Sequence, residues 1–287
     1  MIPSPLVTVV CLCYNHEKFV KEAIDSVFNQ TYPNVQLIVI DDASTDQSTE
    51  EIKKALKNHA DVAFISLSEN KGNCKAFNIS LSLIKGDFVI DLAADDILFP
   101  DRIDQGVKQF QKCGSEYGIH FSDAENISED GTHLDFHSDR FPHETIPTGN
   151  VYTQVIKKYF ISPPSVMIRK QVLDEMNGYD ETLAYEDFDL WVRASRNFKF
   201  TYTPKPLVKK REVRSSLGNQ QFKRSGKQLK STYKICEKIL KLNRNNTEKA
   251  ALRKRIFYEI GIALKLFDFE LAGKYLVLLV RNELHTF

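Results

Sequence analysis

Short apolar, β-branched runs alternate with amphipathic stretches through the first hundred residues, and this alternation restricts the possible folds more than any other feature. Leu6 to Leu12 (LVTVVCL) reads as a strand buried on both faces. Phe19 to Gln30 follows, with Val20, Ala23, Ile24, Val27 and Phe28 at helical spacing. Val35 to Ile40 (VQLIVI) is the next strand, and Ser44 to His59 the next helix, with Ser44 as its cap and Gln47 three residues on. Val62 to Leu67 reads as a third strand, Lys71 to Ile84 as a helix, and Phe88 to Leu92 as a fourth strand after the Gly86-Asp87 turn. Strands and helices alternating at this spacing form βαβ units, so the expected fold is α/β with a mostly parallel central sheet flanked by helices.

The pattern loosens after Ile119. Ser128 to Asn150 carries the turn residues Glu129-Asp130-Gly131 and reads as loop or hairpin, and Tyr159 to Arg196 is mixed, broken by the rigid Ser162-Pro163-Pro164-Ser165. From about Gln220 the character changes again. Leu229, Tyr233, Cys236 and Leu240 are helically spaced, as are Leu252, Ile256, Ile260, Ala263 and Phe267, and Leu271 to Val280 reads as a last helix. The expectation is a C-terminal helical appendage of about three helices on the α/β body.

Composition narrows the class. With 42% hydrophobic residues in 287, the chain can bury a large core, and its net charge of +1 offers no basic excess for nucleic acid. The longest strongly apolar run, Tyr275 to Val280, is far short of the ~18–20 residues needed to cross a bilayer. No basic region precedes the first apolar stretch, so a secretory signal is not expected, and five irregularly spaced cysteines read as reduced thiols of a cytoplasmic protein.

Two aspartate pairs share one structural context. Asp41-Asp42 ends the strand VQLIVI, and Asp95-Asp96 lies three residues past the strand FVIDL. In an open parallel sheet, ligands bind beyond the carboxyl ends of the strands, so both pairs are expected to face one crevice. Adjacent carboxylates repel each other unless a cation or donor groups neutralise them, and a hard divalent cation with oxygen ligands is the natural partner. Either pair alone fits a helix cap as well as a site; two at equivalent strand ends favour a site. His133, His137 and His143 fit no standard metal spacing, Cys11 and Cys13 read as packed in a buried strand, and the Asn78-Ile79-Ser80 sequon falls on a helix.

At these motifs the sequence resembles family-2 glycosyltransferases with the GT-A fold, in VTVVCLCYNHEKFVKEAIDSVFNQTYPNVQLIVIDDASTDQST and again in NKGNCKAFNISLSLIKGDFVIDLAADDILFPDRI. The resemblance covers roughly residues 5 to 215 and implies a GT-A domain over 1–218, with a nucleotide-binding half (1–99) and an acceptor-binding half (100–218), followed by the helical region 219–287. It also implies roles. Tyr14 matches the aromatic that stacks on the nucleotide base, Asp42 the carboxylate that hydrogen-bonds the base, and Asn70 and Gly72 the loop that closes over the nucleoside. Asp95 matches the carboxylate facing the ribose or sugar, and Asp96 the ligand of a Mn²⁺ or Mg²⁺ ion. Ala93 replaces the first aspartate of the fuller DxDD form, so the metal depends mainly on Asp96 and the diphosphate.

The cluster Tyr185-Glu186-Asp187-Phe188-Asp189-Leu190-Trp191, after Gly178-Tyr179-Asp180-Glu181, resembles the family's acceptor-side motif. By position Asp187 matches the general base of an inverting transfer, and Glu186 an acceptor or helix-capping contact. The plain reading of the same residues is a surface helix with Phe188, Leu190, Trp191 and Val192 turned inward and its acids solvated. In Lys209-Lys210-Arg211-Glu212-Val213-Arg214 the family's histidine is missing, while Arg211 or Arg214 is a candidate to neutralise the departing diphosphate, against a solvated basic run.

The expected activity is therefore transfer of one sugar from a nucleotide-sugar, with UDP the commonest carrier in the family and GDP or dTDP open, to a hydroxyl of a glycan or lipid-linked acceptor in polysaccharide assembly. The QxxRW motif and membrane helices of the processive relatives are absent from the sequence, which implies a single transfer per encounter. The alternative is a non-catalytic nucleotide-sugar-binding or scaffold relative. A nucleotidyltransferase would open with a Gly-rich loop, and Cys13-Tyr14-Asn15-His16 contains no glycine. The apolar last segment is expected either to complete the tail's own core or to make weak peripheral contact with the inner face of a membrane, or with another copy of the chain, through its C-terminal helices.

Overall fold

The structure is a computed structural model that describes residues 4–142, 145–213, 224 and 226–287. In chain order the first half contains β1 (Val7–Cys13), α1 (Val20–Phe28), β2 (Val35–Asp41), α2 (Ser48–Ala55), β3 (Ala63–Ser66), α3 (Asn73–Ser80), β4 (Phe88–Ala93), β5 (Ile97–Leu98) and α4 (Arg102–Cys113). Then come β6 (Tyr117–Ile127), β7 (His133–Phe136), α5 (Tyr152–Lys157), β8 (Met167–Arg169), α6 (Lys170–Met176) and α7 (Glu186–Ala194). The chain closes with β9 (Lys199–Arg211), α8 (Lys227–Leu242), α9 (Asn246–Lys265) and α10 (Phe269–Leu284).

Residues divide into two compact units. The first comprises 1–149, 161–179 and 197–213; the second comprises 150–160, 180–196 and 214–287. The sequence reading draws one boundary at 218, whereas the second unit also takes in α5 and α7, two short segments recruited from the middle of the chain. Hydrophobic periodicity along the chain carries no signal for such long-range grouping.

Among the described residues all strands lie in the first unit, in one sheet ordered β3-β2-β1-β4-β8-β6-β9-β5, with β7 paired to β6. The β3-β2-β1-β4 segment is parallel, as the alternating pattern requires, and β6 pairs with β9 in parallel; β8 and β5 run antiparallel to their neighbours. Register sets the site. Cys13 lies opposite Asp41 and Leu12 opposite Ala93. The ladder runs one step further through Asp42 N to Cys13 O (2.8 Å) and Ala94 N to Leu12 O (2.9 Å). The residues that follow β1, β2 and β4 therefore emerge at the same sheet edge.

The core explains why these segments are strands and helices. All seven residues of β1 are buried. On α1, Val20, Ala23, Ile24 and Val27 are buried at one helical face, each large aliphatic contributing about 1.5–3 kcal/mol relative to exposure. Two helices are shorter than their apolar spacing predicts. Helix α2 starts at Ser48 rather than Ser44, because the Ser44 hydroxyl accepts the Asn15 amide (2.9 Å) and Ser48 N is met by Asp46 Oδ1 (2.9 Å). Helix α3 ends at Ser80 and runs out through a turn toward Ile84.

In the second unit, α8, α9 and α10 match the three expected C-terminal helices, with Leu229, Cys236, Leu240, Leu252, Ile256 and Ala263 buried as their spacing predicts. Phe267 departs from expectation: it is 66% exposed and takes a positive φ of 54° in the turn before α10. Helix α10 buries Leu271, Ala272, Tyr275 and Leu278 and exposes Leu276, Val277, Val280 and Leu284, so one face completes the core and the other meets solvent. Among the described residues no helix is long and apolar enough to cross a membrane.

Candidate active site

The nucleotide-side candidates converge at the carboxyl ends of β1, β2 and β4. Tyr14 follows β1 directly and is 44% exposed, a ring open to a ligand's face. Asn15 and Ala43 both take φ of 58°, a left-handed conformation that costs a non-glycine residue roughly 1 kcal/mol and is held here by neighbours. Asn15 Oδ1 accepts from Thr45 N (2.7 Å), His16 N donates to Ser48 Oγ (2.8 Å), and Glu17 exchanges hydrogen bonds with the Asp46–Gln47 turn. The loops after β1 and β2 are thus stitched into one rigid floor.

Asp42 is buried, and its carboxylate accepts Lys71 N (2.7 Å) and Gly72 N (2.8 Å), while its carbonyl accepts the Asn70 side-chain amide (3.3 Å). Three of the sequence candidates are therefore in direct contact. Asp42 holds the Asn70–Gly72 loop, and each carboxylate oxygen retains a second lone pair for a ligand donor. Gly72 sits at φ 82° at the start of α3, where a side chain would be strained.

Asp95 and Asp96 follow β4, and both are buried. Asp96 Oδ1 accepts Arg211 N (2.9 Å) from the end of β9. Burial, then the neighbouring Asp95 charge, push the Asp96 carboxyl well above the usual carboxylate range, against the opposing influence of Arg211 and Lys210. Asp95 is pushed up by burial and pulled back by His16 and Arg211. A desolvated like-charge pair with so few donors fits an oxygen-ligated divalent cation, since a cation would remove both penalties. Among the described residues no group of three or more His, Cys, Asp or Glu side chains surrounds a common point, so the remaining ligands would have to come from solvent or a bound diphosphate.

Arg211 does not belong to a solvated basic run. It is buried, and its guanidinium donates to Asp95 O (3.1 Å), Glu129 O (2.9 Å) and Glu22 Oε2 (2.7 Å), and lies 4.7 Å from the Phe19 ring centre. It clips the acidic pair to the sheet and to α1, with most of its N–H donors bonded within the protein. Arg214, the other cationic candidate, lies outside the described residues. Sequence reasoning missed His16, whose Nδ1 lies 3.6 Å from Asp95 Oδ1, beyond direct hydrogen-bond range. The only available signal was its place two residues after Tyr14.

The acceptor-side candidates lie in the second unit, on the first turn of α7. Phe188, Leu190, Trp191 and Val192 are buried as expected, but Glu186 (7% exposed) and Asp189 (1%) are buried as well, and Asp187 is half-buried. A surface helix with solvated acids does not describe this segment. Asp189 is neutralised by Arg193 Nε (2.7 Å) and Lys238 Nζ (2.7 Å). The lone histidine candidates also resolve: His133 pairs with Glu125 (3.0 Å), His137 is buried beside the Phe141 ring, and His143 lies outside the described residues.

A mostly parallel sheet carries a loop cluster and a buried acidic pair at one edge, and the sequence that builds it matches a known family. The model of glycosyl transferase family 2 fits residues 8–176, and the chain belongs to that family of glycosyltransferases. An uncharacterized glycosyltransferase of Methanocaldococcus jannaschii is 29% identical over 217 residues, which cover 72% of this chain and 71% of that protein. One from Haemophilus influenzae is 26% identical over 282 residues, covering 92% and 78%. The match to a Rickettsia felis relative covers only 35% of that longer protein, at 28% identity and 73% of this chain. Among solved structures, Staphylococcus aureus TarS 1–349 in complex with UDP-GlcNAc superposes with a TM-score of 0.68 at 17% identity, covering 88% of this chain and 71% of that one. The mannosyltransferase PcManGT of Pyrobaculum calidifontis, in complex with GDP-Man and Mn²⁺, gives 0.67 at 15% identity, covering 100% and 77%. These likenesses establish the GT-A-type fold.

Proposed function

We propose that this chain transfers a single sugar from a nucleotide-sugar, UDP-linked in the first instance, to a hydroxyl of a glycan or lipid-linked acceptor, with inversion at the sugar carbon. The observation that carries the reading is the buried Asp95-Asp96 pair at the edge where Asp42 grips the Asn70–Gly72 loop. Tyr14 stacks on the base, Asp42 accepts a base N–H, and Asp95 receives a hydroxyl of the ribose or sugar. Asp96 holds a Mn²⁺ or Mg²⁺ ion, which when bound would offset charge on the leaving diphosphate. Asp187 acts as general base: as the acceptor oxygen bonds to the anomeric carbon, the carbon–diphosphate bond breaks, its electron pair leaves with the nucleotide, and the acceptor proton passes to Asp187. The GDP-Man and UDP-GlcNAc complexes of the two structural neighbours support a nucleotide-sugar donor and leave the base open. A cytoplasmic enzyme working at the inner face of a membrane suits a lipid-linked acceptor.

The test has two arms. Calorimetric titration of UDP, GDP and dTDP with and without Mn²⁺ identifies the nucleotide; no binding of any of them rejects the donor site. In the second arm, Asp187→Asn is expected to keep donor affinity and lower turnover by about two to four orders of magnitude, the usual range for a lost general base. Turnover near that of the native chain would remove Asp187 from the chemistry.

A further inference from the structure

Helix α8 carries Ser231, Lys234 and Lys238 at i, i+3 and i+7, which places them on one face. All three reach the segment that leads into and forms α7. Ser231 Oγ accepts Ala184 N (2.8 Å), Lys234 Nζ approaches Thr182 O (3.4 Å), and Lys238 Nζ donates to both Asp180 Oδ2 (2.6 Å) and Asp189 Oδ1 (2.7 Å). From α9, the Arg255 guanidinium sits 4.5 Å from the centre of the Phe188 ring. These contacts bracket Asp187, with three on its N-terminal side and two on the residues that follow it.

The chemistry of the bracket is more than packing. Asp189 is almost completely buried and takes two cations, Arg193 from its own helix and Lys238 from α8, so Lys238 satisfies a charge that would otherwise be buried with half its partners. The same ammonium fixes Asp180, nine residues earlier, so a single atom pins both ends of the acceptor-side segment.

We propose that α8 is the scaffold of the acceptor-side segment and that Lys238 is a positioning residue for sugar transfer. The C-terminal helices would then be part of the transfer machinery. The proposal rests on the reading that places the general base at Asp187. Displacing a reacting group by about 1 Å is enough to cost about a hundredfold in rate, which a lost brace within one helical turn of Asp187 can produce.

The experiment uses the full chain, UDP-GlcNAc with Mn²⁺, and release of UDP to water as the readout; should UDP-GlcNAc not bind, a sugar ester of the nucleotide selected by calorimetry replaces it. Lys238→Met is expected to lower the rate constant for UDP release tenfold to a hundredfold, with the donor KM and the UDP Kd changed less than twofold. Lys238→Arg, which keeps the charge and two donors, is expected to recover most of the rate. Ser231→Ala removes only the Ala184 brace and is expected to lose severalfold in rate; it decides the matter if Lys238→Met does not fold. Full activity in both variants, or a parallel loss of rate and donor affinity that Lys238→Arg does not restore, overturns the scaffold role. Asp187→Asn run alongside separates the two readings. If Asp187→Asn is impaired and the α8 variants are not, the base stands and the scaffold falls; if the α8 variants are impaired and Asp187→Asn is not, the base falls and the scaffold stands.

Discussion

Replacing Arg211 by Met separates two roles that the sequence alone could not distinguish, an internal clip and a phosphate contact. Met fills much of the volume but donates nothing. The Asp95 and Glu129 carbonyls would each lose a hydrogen bond, at about 1–3 kcal/mol apiece where water cannot replace it. Glu22 has a half-exposed side chain and rehydrates, so its share is below about 1 kcal/mol. Loss of the guanidinium over Phe19 adds about 0.5–2 kcal/mol. The Arg211 N to Asp96 bond is backbone and survives. Together these span about 2.5–9 kcal/mol, and the range of about 3–5 kcal/mol for stripping one partner from a buried charge network lies in its lower half. At a urea dependence of about 2–3 kcal/mol per molar, the unfolding midpoint of the first unit falls by roughly 1–2 M. Urea titration followed by fluorescence and far-UV circular dichroism measures this directly. An unchanged midpoint combined with a selective loss of UDP affinity relative to uridine would refute the clip and return Arg211 to the diphosphate.

Two further outcomes follow from the charges. Asp96→Asn keeps an oxygen for Arg211 N but removes the buried charge; Mn²⁺-dependent UDP binding should vanish in calorimetry while the melting temperature of the ligand-free protein does not fall, and a drop of several degrees would contradict the account of the acidic pair. Asp180 is pushed up by burial, but Lys238 and Thr182 together outweigh that and hold it at about 2. Its stabilisation is therefore present above the ordinary carboxylate pKa of ~3.9 and is lost as pH falls through about 2. Lys238→Met lacks this contribution, so its acid-unfolding midpoint in the second unit should lie at higher pH than that of the native chain, and coincident midpoints would contradict it.

The first half was readable because its signals are local. The β-branched runs of β1, β2 and β4 are buried in parallel strands, and the aspartates after β2 and β4 occupy the strand ends where the spacing put them. Misreadings arose where a residue's partner lies far along the chain. Ser44 looks like a cap until Asn15, 29 residues away, is seen to claim its hydroxyl. The solvated reading of Arg211 fails because its partners Glu22 and Asp95 lie more than a hundred residues away. The grouping of α7 with α8 was equally invisible, because Lys238 meets Asp189 across 49 residues and nothing in the spacing of either helix announces a partner.

The cysteines offer an independent clock for each half of the molecule. Cys11, Cys13 and Cys74 are buried in the first unit and Cys236 in the second. Burial pushes the Cys13 and Cys236 thiols up to about 12 and raises Cys11 as well, so at neutral pH they are both shielded and protonated, whereas a labelling reagent needs an accessible thiolate. Each can be modified only when its surroundings open. Labelling rates resolved by peptide mass, with the partly exposed Cys113 as an internal reference, therefore measure the free energy of opening around β1 and around α8 separately, without denaturant and with no engineered probe.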